Sequence, residues 1–210
     1  MNKYDELVLS SSLYDCDDQE LLKYQRTLVN YLDKYNCTLE TDEGIKERQE
    51  ILKNACGTYG ENLFILPPIH ANFGLKHVHF GKNVFINFNS TFVDDGEITI
   101  GDDVMVGPNV SFITASHPIS PRLRKKKLQY NKPIRIGTNV WIGSNVVILP
   151  GVTIGDNSVI GAGAVVTKDV PSNVVVVGNP SKILREITKE DDLYFDKKKI
   201  PEDILEKYLK

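Results

Sequence analysis

The chain has 210 residues, 41% of them hydrophobic, and a formal net charge of −3, which suits one compact domain with an appendage and excludes the marked basic excess typical of a nucleic-acid-binding domain. No apolar run approaches the roughly 18 residues of a membrane span, and Met1 to Ser12 lacks the basic start and apolar core of a signal peptide. A cytoplasmic protein is therefore expected, with neither nucleic acid nor membrane as partner. The three cysteines, Cys16, Cys37 and Cys56, are an odd set without CxxC spacing, which fits reduced thiols rather than a disulfide or zinc framework.

The N-terminal part reads as two helices. Asp17 or Asp18 can cap the first, with Glu20 in its opening turn, and Leu21, Leu22, Leu28, Val29 and Leu32 follow at helical intervals to about Asn36. Thr41 can cap the second, with Asp42 and Glu43 in the first turn and an end near Cys56 and Gly57. Residues 1–60 are thus expected to form a helical arm that covers the rest as a structural appendage. From Gly60 to Gly74, with Pro67 and Pro68, no period is evident, and the chain passes into a different rhythm.

That rhythm is six residues long. Phe80, Ile86 and Phe92 form one triplet, and Ile100, Val106 and Phe112 form another after a two-residue slip around Asp94 to Glu97. The slip is expected to push a loop outward and leave Asp94 and Asp95 accessible. After a long interruption, Ile136, Ile142, Ile148, Ile154, Ile160 and Val166 repeat without a slip, beside a second column of Val140, Val146, Val152, Ser158 and Ala164. Helices repeat near 3.6 residues and strands near 2, whereas a strict hexapeptide period marks a parallel β-helix. Gly137, Gly143, Gly155 and Gly161 follow the aliphatic residues, and glycine there is expected to turn the corner through backbone angles that a Cβ forbids.

The interruption, 114–133, carries His117, three prolines and the basic run Arg122, Arg124, Lys125, Lys126 and Lys127. A loop this long inside a strict repeat is usually functional. The basic run serves either to steer a polyanion or as a solvated loop. Beyond Asp169 the repeat fades, Asn179-Pro180 is expected to turn the chain away from the prism, and Pro201-Glu202-Asp203 opens a last helix. The expected organisation is an arm at 1–60, a β-helix at 61–185 with its external loop, and a short helical tail at 186–210.

Several strings are more specific than the period: Asn87-Phe88-Asn89, Val93-Asp94-Asp95, Ile100-Gly101-Asp102, Pro108-Asn109-Val110, His117-Pro118, Val140-Trp141-Ile142-Gly143 and Pro150-Gly151-Val152-Thr153-Ile154-Gly155. On these, from Pro67 to Ile187, the chain closely resembles the maltose and galactoside O-acetyltransferases, including the nodulation acetyltransferase, among the hexapeptide-repeat acyltransferases. Leu13-Tyr14-Asp15 extends the likeness into the arm. The resemblance implies a mostly β protein with a left-handed parallel β-helix, a homotrimer with sites at subunit interfaces, acetyl-CoA as donor, a sugar hydroxyl as acceptor and no catalytic metal.

Residue by residue, the resemblance makes His117 the general base, in the titration range that activating an alcohol at neutral pH requires. It makes Asn87 a donor to the oxyanion or to the acceptor hydroxyl. Asp15, Asn72, Asn87 and Asp95 match acceptor-binding positions, although Ser or Asp is the common family residue at the position of Asn72, and Phe85 stands where the galactoside enzyme has tyrosine. Trp141, Ser144, Ala162, Thr167, Lys168, Lys182 and Arg185 match CoA-contacting positions, with Lys182 replacing an arginine and losing its bidentate phosphate geometry.

Three other functions share the coil: acetyl transfer to an amino acid, amine or antibiotic; a metal-dependent lyase of the γ-carbonic-anhydrase kind, for which His77 and His79 would have to converge with His70 or His117; and a non-catalytic assembly scaffold.

Overall fold

The computed structural model describes residues 2–209. Three stacked sheets form the faces of a prism: a four-strand face, a five-strand face and a seven-strand face. Strands within each face are parallel and in register, apart from one antiparallel edge strand on the seven-strand face, so that Trp141 pairs with Met105 on one side and Val159 on the other. The chain is a parallel β-solenoid.

All six aliphatic residues of the regular repeat point into the prism and are buried, as are Val140, Val146, Val152 and Ala164 beside them. Each Val or Ile so buried contributes roughly 1.5–3 kcal/mol. The earlier coils use the same columns with larger side chains, and Phe92 stacks on Phe112 at 5.0 Å between ring centroids. Ser158 is the polar exception, and its hydroxyl is satisfied by the Pro171 carbonyl at 2.8 Å.

The corners differ from the sequence expectation. Gly143 and its equivalents do not adopt positive φ; that role falls to asparagines such as Asn139, Asn145 and Asn157, whose short polar side chains tolerate the left-handed region. Along one edge they form a ladder, Asn139 donating to Asn157 at 3.0 Å and Asn157 to Asn173 at 3.1 Å. Glycine is required for space instead, because a Cβ on Gly143 would lie 2.7 Å from the Ala162 backbone nitrogen of the next coil.

The arm comprises α1 (Lys3–Leu9), α2 (Gln19–Val29), α3 (Leu32–Asn36) and α4 (Asp42–Ala55). Asp18 caps α2 and Thr41 caps α4, as expected. Helix α1 was not evident from the periodicity; Asn2 and Asp5 close it with a reciprocal capping box. The single helix expected to reach Asn36 is broken at Asn30 and Tyr31 because its two halves serve different cores. Leu21 of α2 joins Val8, Tyr14 and Phe73 in a small cluster, whereas Leu32 and Tyr35 of α3 plug the open end of the prism. Tyr35 fixes this seating by donating to the Ile65 carbonyl at 2.8 Å.

The excursion is an ordered flap. Ala115–Ser116 and Leu128–Asn131 pair antiparallel around α5 (Pro121–Arg124), and Leu128–Asn131 pairs in turn with Tyr14–Asp15 of the arm. At the far end Asn179-Pro180 does not lead the chain away: Lys182–Glu186 folds back antiparallel on Val174–Val177, whose amides and carbonyls the last coil leaves free. A 3-10 turn, the hairpin Tyr194–Phe195 with Lys198–Lys199, and α6 (Glu202–Leu209) complete the tail.

Steric contact at Gly143 and left-handed backbone at Gly163, where φ is +73° with open space around, give opposite responses to substitution. Gly143→Ala is expected to lose about 1–3 kcal/mol of unfolding free energy in urea titrations. Gly163→Asn, which copies Asn145 of the coil before, should change stability by no more than about 0.5 kcal/mol.

Candidate active site

The early coils are longer than the later ones: ladder partners Asn83 and Asp103 are 20 residues apart, whereas Asn139 and Asn157 are 18 apart. In the second coil the surplus lies at Asp94 to Glu97, on the edge between the five-strand and four-strand faces, and the flap leaves the prism from the same edge one coil later. This edge carries four of the residues expected to act on the acceptor.

His117 follows the first flap strand and is exposed; its Nδ1 lies 2.8 Å from the carbonyl oxygen of Leu128 on the return strand. A carbonyl only accepts, so Nδ1 carries a proton and the neutral ring presents Nε2 as an unprotonated acceptor. The backbone of Leu128 is also the strand partner of Asp15. One residue therefore ties the imidazole tautomer to the arm. Asp15 itself is exposed and accepts from the Asp17 amide at 2.9 Å.

Asp94 and Asp95, expected to be accessible, are 0% and 6% exposed. The slip does bulge outward, but the arm and the flap close over it. Asp95 Oδ2 accepts from Asn72 Nδ2 at 2.8 Å and Oδ1 from Gln129 Nε2 at 2.9 Å, so two neutral amides hold the carboxylate and no cation pairs with it among the described residues. Gln129 and Asn131 have no functional signal in the sequence, and Tyr14 enters there only within Leu13-Tyr14-Asp15. The strand alternates normally, but polar Gln129 and Asn131 take the buried positions and Leu128 and Tyr130 the less buried ones, the reverse of the usual hydrophobic-in, polar-out pattern. Asp94 accepts from the Phe73 amide at 2.7 Å through Oδ1, but its Oδ2 has no hydrogen-bond partner among the described residues. Burial pushes its carboxyl up to about 7, against the Phe73 hydrogen bond and with help from the neighbouring Asp95 charge.

Asn87 is not on this edge. It lies between the seven-strand and five-strand faces, where its backbone amide bonds the Val106 carbonyl of the next coil. The coils above place Gly107, Gly143 and Gly161 in the same column. Its Oδ1 accepts from the Phe88 amide at 2.8 Å, which leaves the NH₂ as the donor end of the side chain. Ser144 and Ala162 follow Gly143 and Gly161 on this edge. Trp141, 54% exposed, stands just before it in an outward column with Met105 and Val159.

Of the other residues expected to contact the donor, Thr167 and Lys168 follow Val166 on the His117 edge, two coils beyond the flap. Lys182 and Arg185 are exposed on the antiparallel strand. Arg185 forms two bonds to Asp191, at 2.7 and 2.8 Å, which with the Thr188 amide hold that carboxyl down to about 2, so a phosphate at Arg185 has to compete. Thus the structure brings His117, Asp15, Asn72 and Asp95 to one edge and Asn87, Trp141, Ser144 and Ala162 to another.

His77, just before the strand Val78–Phe80, and His79 within it have separate partners. His77 is buried between the Asp94 carbonyl and Asp5, and His79 bonds Thr58 at 2.9 Å. Among the described residues no group of three His, Cys, Asp or Glu side chains gathers as around a metal ion, and no helix is long and apolar enough to cross a membrane.

A three-faced parallel solenoid on a six-residue repeat, with a flap bearing an oriented histidine, defines a hexapeptide-repeat transferase. The family models agree: the bacterial transferase hexapeptide model matches residues 133–168, and the maltose acetyltransferase capping motif matches 8–60. The galactoside O-acetyltransferase of Lactococcus lactis subsp. lactis (strain IL1403) is 49% identical over 90% of each chain. Among solved structures, a galactoside acetyltransferase in complex with coenzyme A is 40% identical with a TM-score of 0.88, over 96% of this chain and 99% of that one. A hexapeptide-repeat acetyltransferase from Vibrio cholerae O1 biovar eltor, complexed with acetyl-coenzyme A, is 37% identical with a TM-score of 0.80, over 90% and 100%. The chain belongs to the maltose and galactoside O-acetyltransferase family. It is an acetyl-CoA-dependent O-acetyltransferase.

Asp94 gives the site a pH signature in stability. Its folded-state value, about 7, lies above the ordinary carboxylate range, so the native state binds the proton more tightly than the unfolded chain. The associated stability is present below the ordinary value and is lost as pH rises through 7. Melts followed by circular dichroism should show Asp94→Asn gaining on the wild type between about pH 5 and about pH 8; a constant gap would count against a buried proton at Asp94.

Proposed function

We propose that the chain acetylates a hydroxyl of a sugar, a galactoside-like or maltose-like acceptor, by direct attack with His117 as general base. The observation that carries this reading is the Leu128 carbonyl on Nδ1, which leaves Nε2 free to accept. Acetyl-CoA supplies a thioester carbonyl as the electrophile. Nε2 takes the proton of the acceptor hydroxyl as its oxygen bonds to the acetyl carbon, and the imidazolium returns that proton to the CoA sulfur as the C–S bond breaks. The products are an acetyl ester and free CoA, with no acyl-enzyme. Asn87, its Oδ1 occupied by the Phe88 amide, donates through its NH₂ to the negative charge developing on the thioester oxygen. Asp95 and Asp15 accept from acceptor hydroxyls, and Asn72 steadies Asp95.

The division between two edges supports a homotrimer. His117 and Asp95 of one copy meet Asn87 of the next when three prisms close a ring with heterologous contacts. The donor residues divide in the same way: Trp141, Ser144 and Ala162 form an apolar shelf with small neighbours on one edge, Thr167 and Lys168 lie on the other, and Lys182 and Arg185 supply charge for phosphates. A cytoplasmic site of action fits the three unpaired cysteines.

Thiol release from acetyl-CoA against a panel of mono- and disaccharides tests the function. His117→Ala should lose about 10²- to 10⁴-fold in kcat, and near-normal turnover would overturn the base assignment. Sharing of the site has its own readout. An equal mixture of His117→Ala and Asn87→Ala chains, co-refolded, should recover about a quarter of wild-type activity, because each mixed ring restores one intact interface; a mixture as inactive as its parents would mean that each site lies within one chain.

A further inference from the structure

The acceptor carboxylate needs an orientation as well as a charge, and the source of that orientation is buried. Gln129, 7% exposed on the flap's return strand, directs its side-chain NH₂ to Asp95 Oδ1 at 2.9 Å. That nitrogen also donates to the Tyr14 hydroxyl and lies 3.2 Å from Asn131 Oδ1. Its two hydrogens thus face three oxygens, of which the carboxylate, being ionised, accepts most strongly. The frame around Gln129 is fixed. Its backbone pairs with Tyr14, and Asn131 Nδ2 donates to the Tyr14 hydroxyl at 3.1 Å and to the Val8 carbonyl at 2.9 Å.

A carboxylate offers about four lone-pair directions. Gln129 takes one on Oδ1 and Asn72 takes one on Oδ2 at 2.8 Å, which sets the plane of the group and leaves its other lone pairs open. Because both donors are neutral, Asp95 keeps its full charge for an incoming hydroxyl. Gln129 is too enclosed to meet the acceptor itself.

We propose that Gln129 is a positioning residue: it aims the Asp95 carboxylate at the sugar and thereby transmits the geometry of the N-terminal arm, through Tyr14 and Asn131, to acceptor recognition. This inference rests on the reading of Asp95 as an acceptor-binding group. Without the Gln129 hydrogen bond the carboxylate rotates about its side-chain torsions, and the acceptor loses a pre-aimed partner while the donor site is untouched.

Two near-isosteric variants separate this role from general support of the fold. Gln129→Met removes the donor and should raise the acceptor KM by about 10- to 100-fold, the scale of a hydrogen bond to a charged group, with the acetyl-CoA KM unchanged. Gln129→Glu can imitate the amide only while protonated. Around it stand Asp95 from the coil, Tyr14 from the arm strand with Cys16 beyond, and Asp94 behind Asp95. Burial first and then the Asp95 charge hold the Tyr14 hydroxyl neutral through the accessible range. Asp94 does titrate there, so each variant is compared with the wild type at the same pH. The Gln129→Glu acceptor KM should match the wild type near about pH 5.5 and exceed it at least about tenfold near pH 8, as two carboxylates come to face each other.

Acceptor KM values that follow the wild type in both variants at every pH would overturn the proposal. So would equal losses in both KM values and kcat that parallel a lowered melting temperature and do not depend on pH. If Gln129→Met does not fold, the pH dependence of Gln129→Glu decides alone. Failure of the wild-type chain to acetylate any sugar is a different result, overturning the reading of Asp95 and the role of Gln129 with it.

Discussion

Each coil of the prism hydrogen-bonds to the next at the fixed spacing of paired strands, about 4.8 Å, and every strand must stay in register with the one beneath it. A coil therefore has no freedom to lengthen within a face, and surplus residues leave at an edge. The two-residue surplus at Asp94 to Glu97 and the long flap after Ile113 both leave at the edge between the five-strand and four-strand faces, in successive coils. Their stacking brings Gln129 of the flap within hydrogen-bonding distance of Asp95. The rigid register that forbids irregularity elsewhere concentrates it here.

The arm is part of this construction rather than a cover laid over it. Tyr14–Asp15 is the third strand of the flap sheet. Asp5 of α1 accepts from Tyr24 at 2.7 Å, from Lys76 at 3.0 Å and from buried His77 at 3.2 Å, while the other nitrogen of His77 bonds the Asp94 carbonyl at 2.7 Å. Burial alone would raise the Asp5 carboxyl; the Tyr24, Lys76 and His77 donors outweigh it and hold the group below its ordinary value. The aspartate loop is thus gripped from behind by α1 and His77 and from in front by Gln129. Such double support keeps an acidic turn rigid although one of its carboxylates has an oxygen without a hydrogen-bond partner among the described residues.

The prism was legible because its core is one side chain wide. A buried column with a six-residue period cannot hide in a sequence, and each of the six aliphatic positions from Ile136 to Val166 is interior. The reason for the glycines was not legible in the same way: adjacency to Ile142 does not distinguish a demand for unusual φ at Gly143 from a demand for empty space against Ala162. The asparagines that take positive φ were present at regular intervals, yet their role appears only once the coils stack. Asp94 and Asp95 were misjudged for a related reason. Their cover comes from residues distant in sequence, Tyr14 and Gln129 lying 115 positions apart, and no local pattern announces such a contact. His117 is singled out by the resemblance and by its place at the opening of a long loop, whereas its tautomer depends on a carbonyl 11 residues away.

The strand Leu128–Asn131 carries a burden that neither its length nor its composition suggests. The Leu128 carbonyl fixes the proton on His117, and the Gln129 amide, one residue later, holds Asp95. Adjacent side chains of a strand point to opposite faces, but a backbone carbonyl and the next side chain need not diverge, so one short segment can set the His117 imidazole and the Asp95 carboxylate together. Any movement of that strand displaces both groups at once. Its antiparallel pairing with Ala115–Ser116 on one side and Tyr14–Asp15 on the other therefore acts on both groups: the arm holds the strand, the strand orients the imidazole and the carboxylate, and the regular coils supply the wall they stand on.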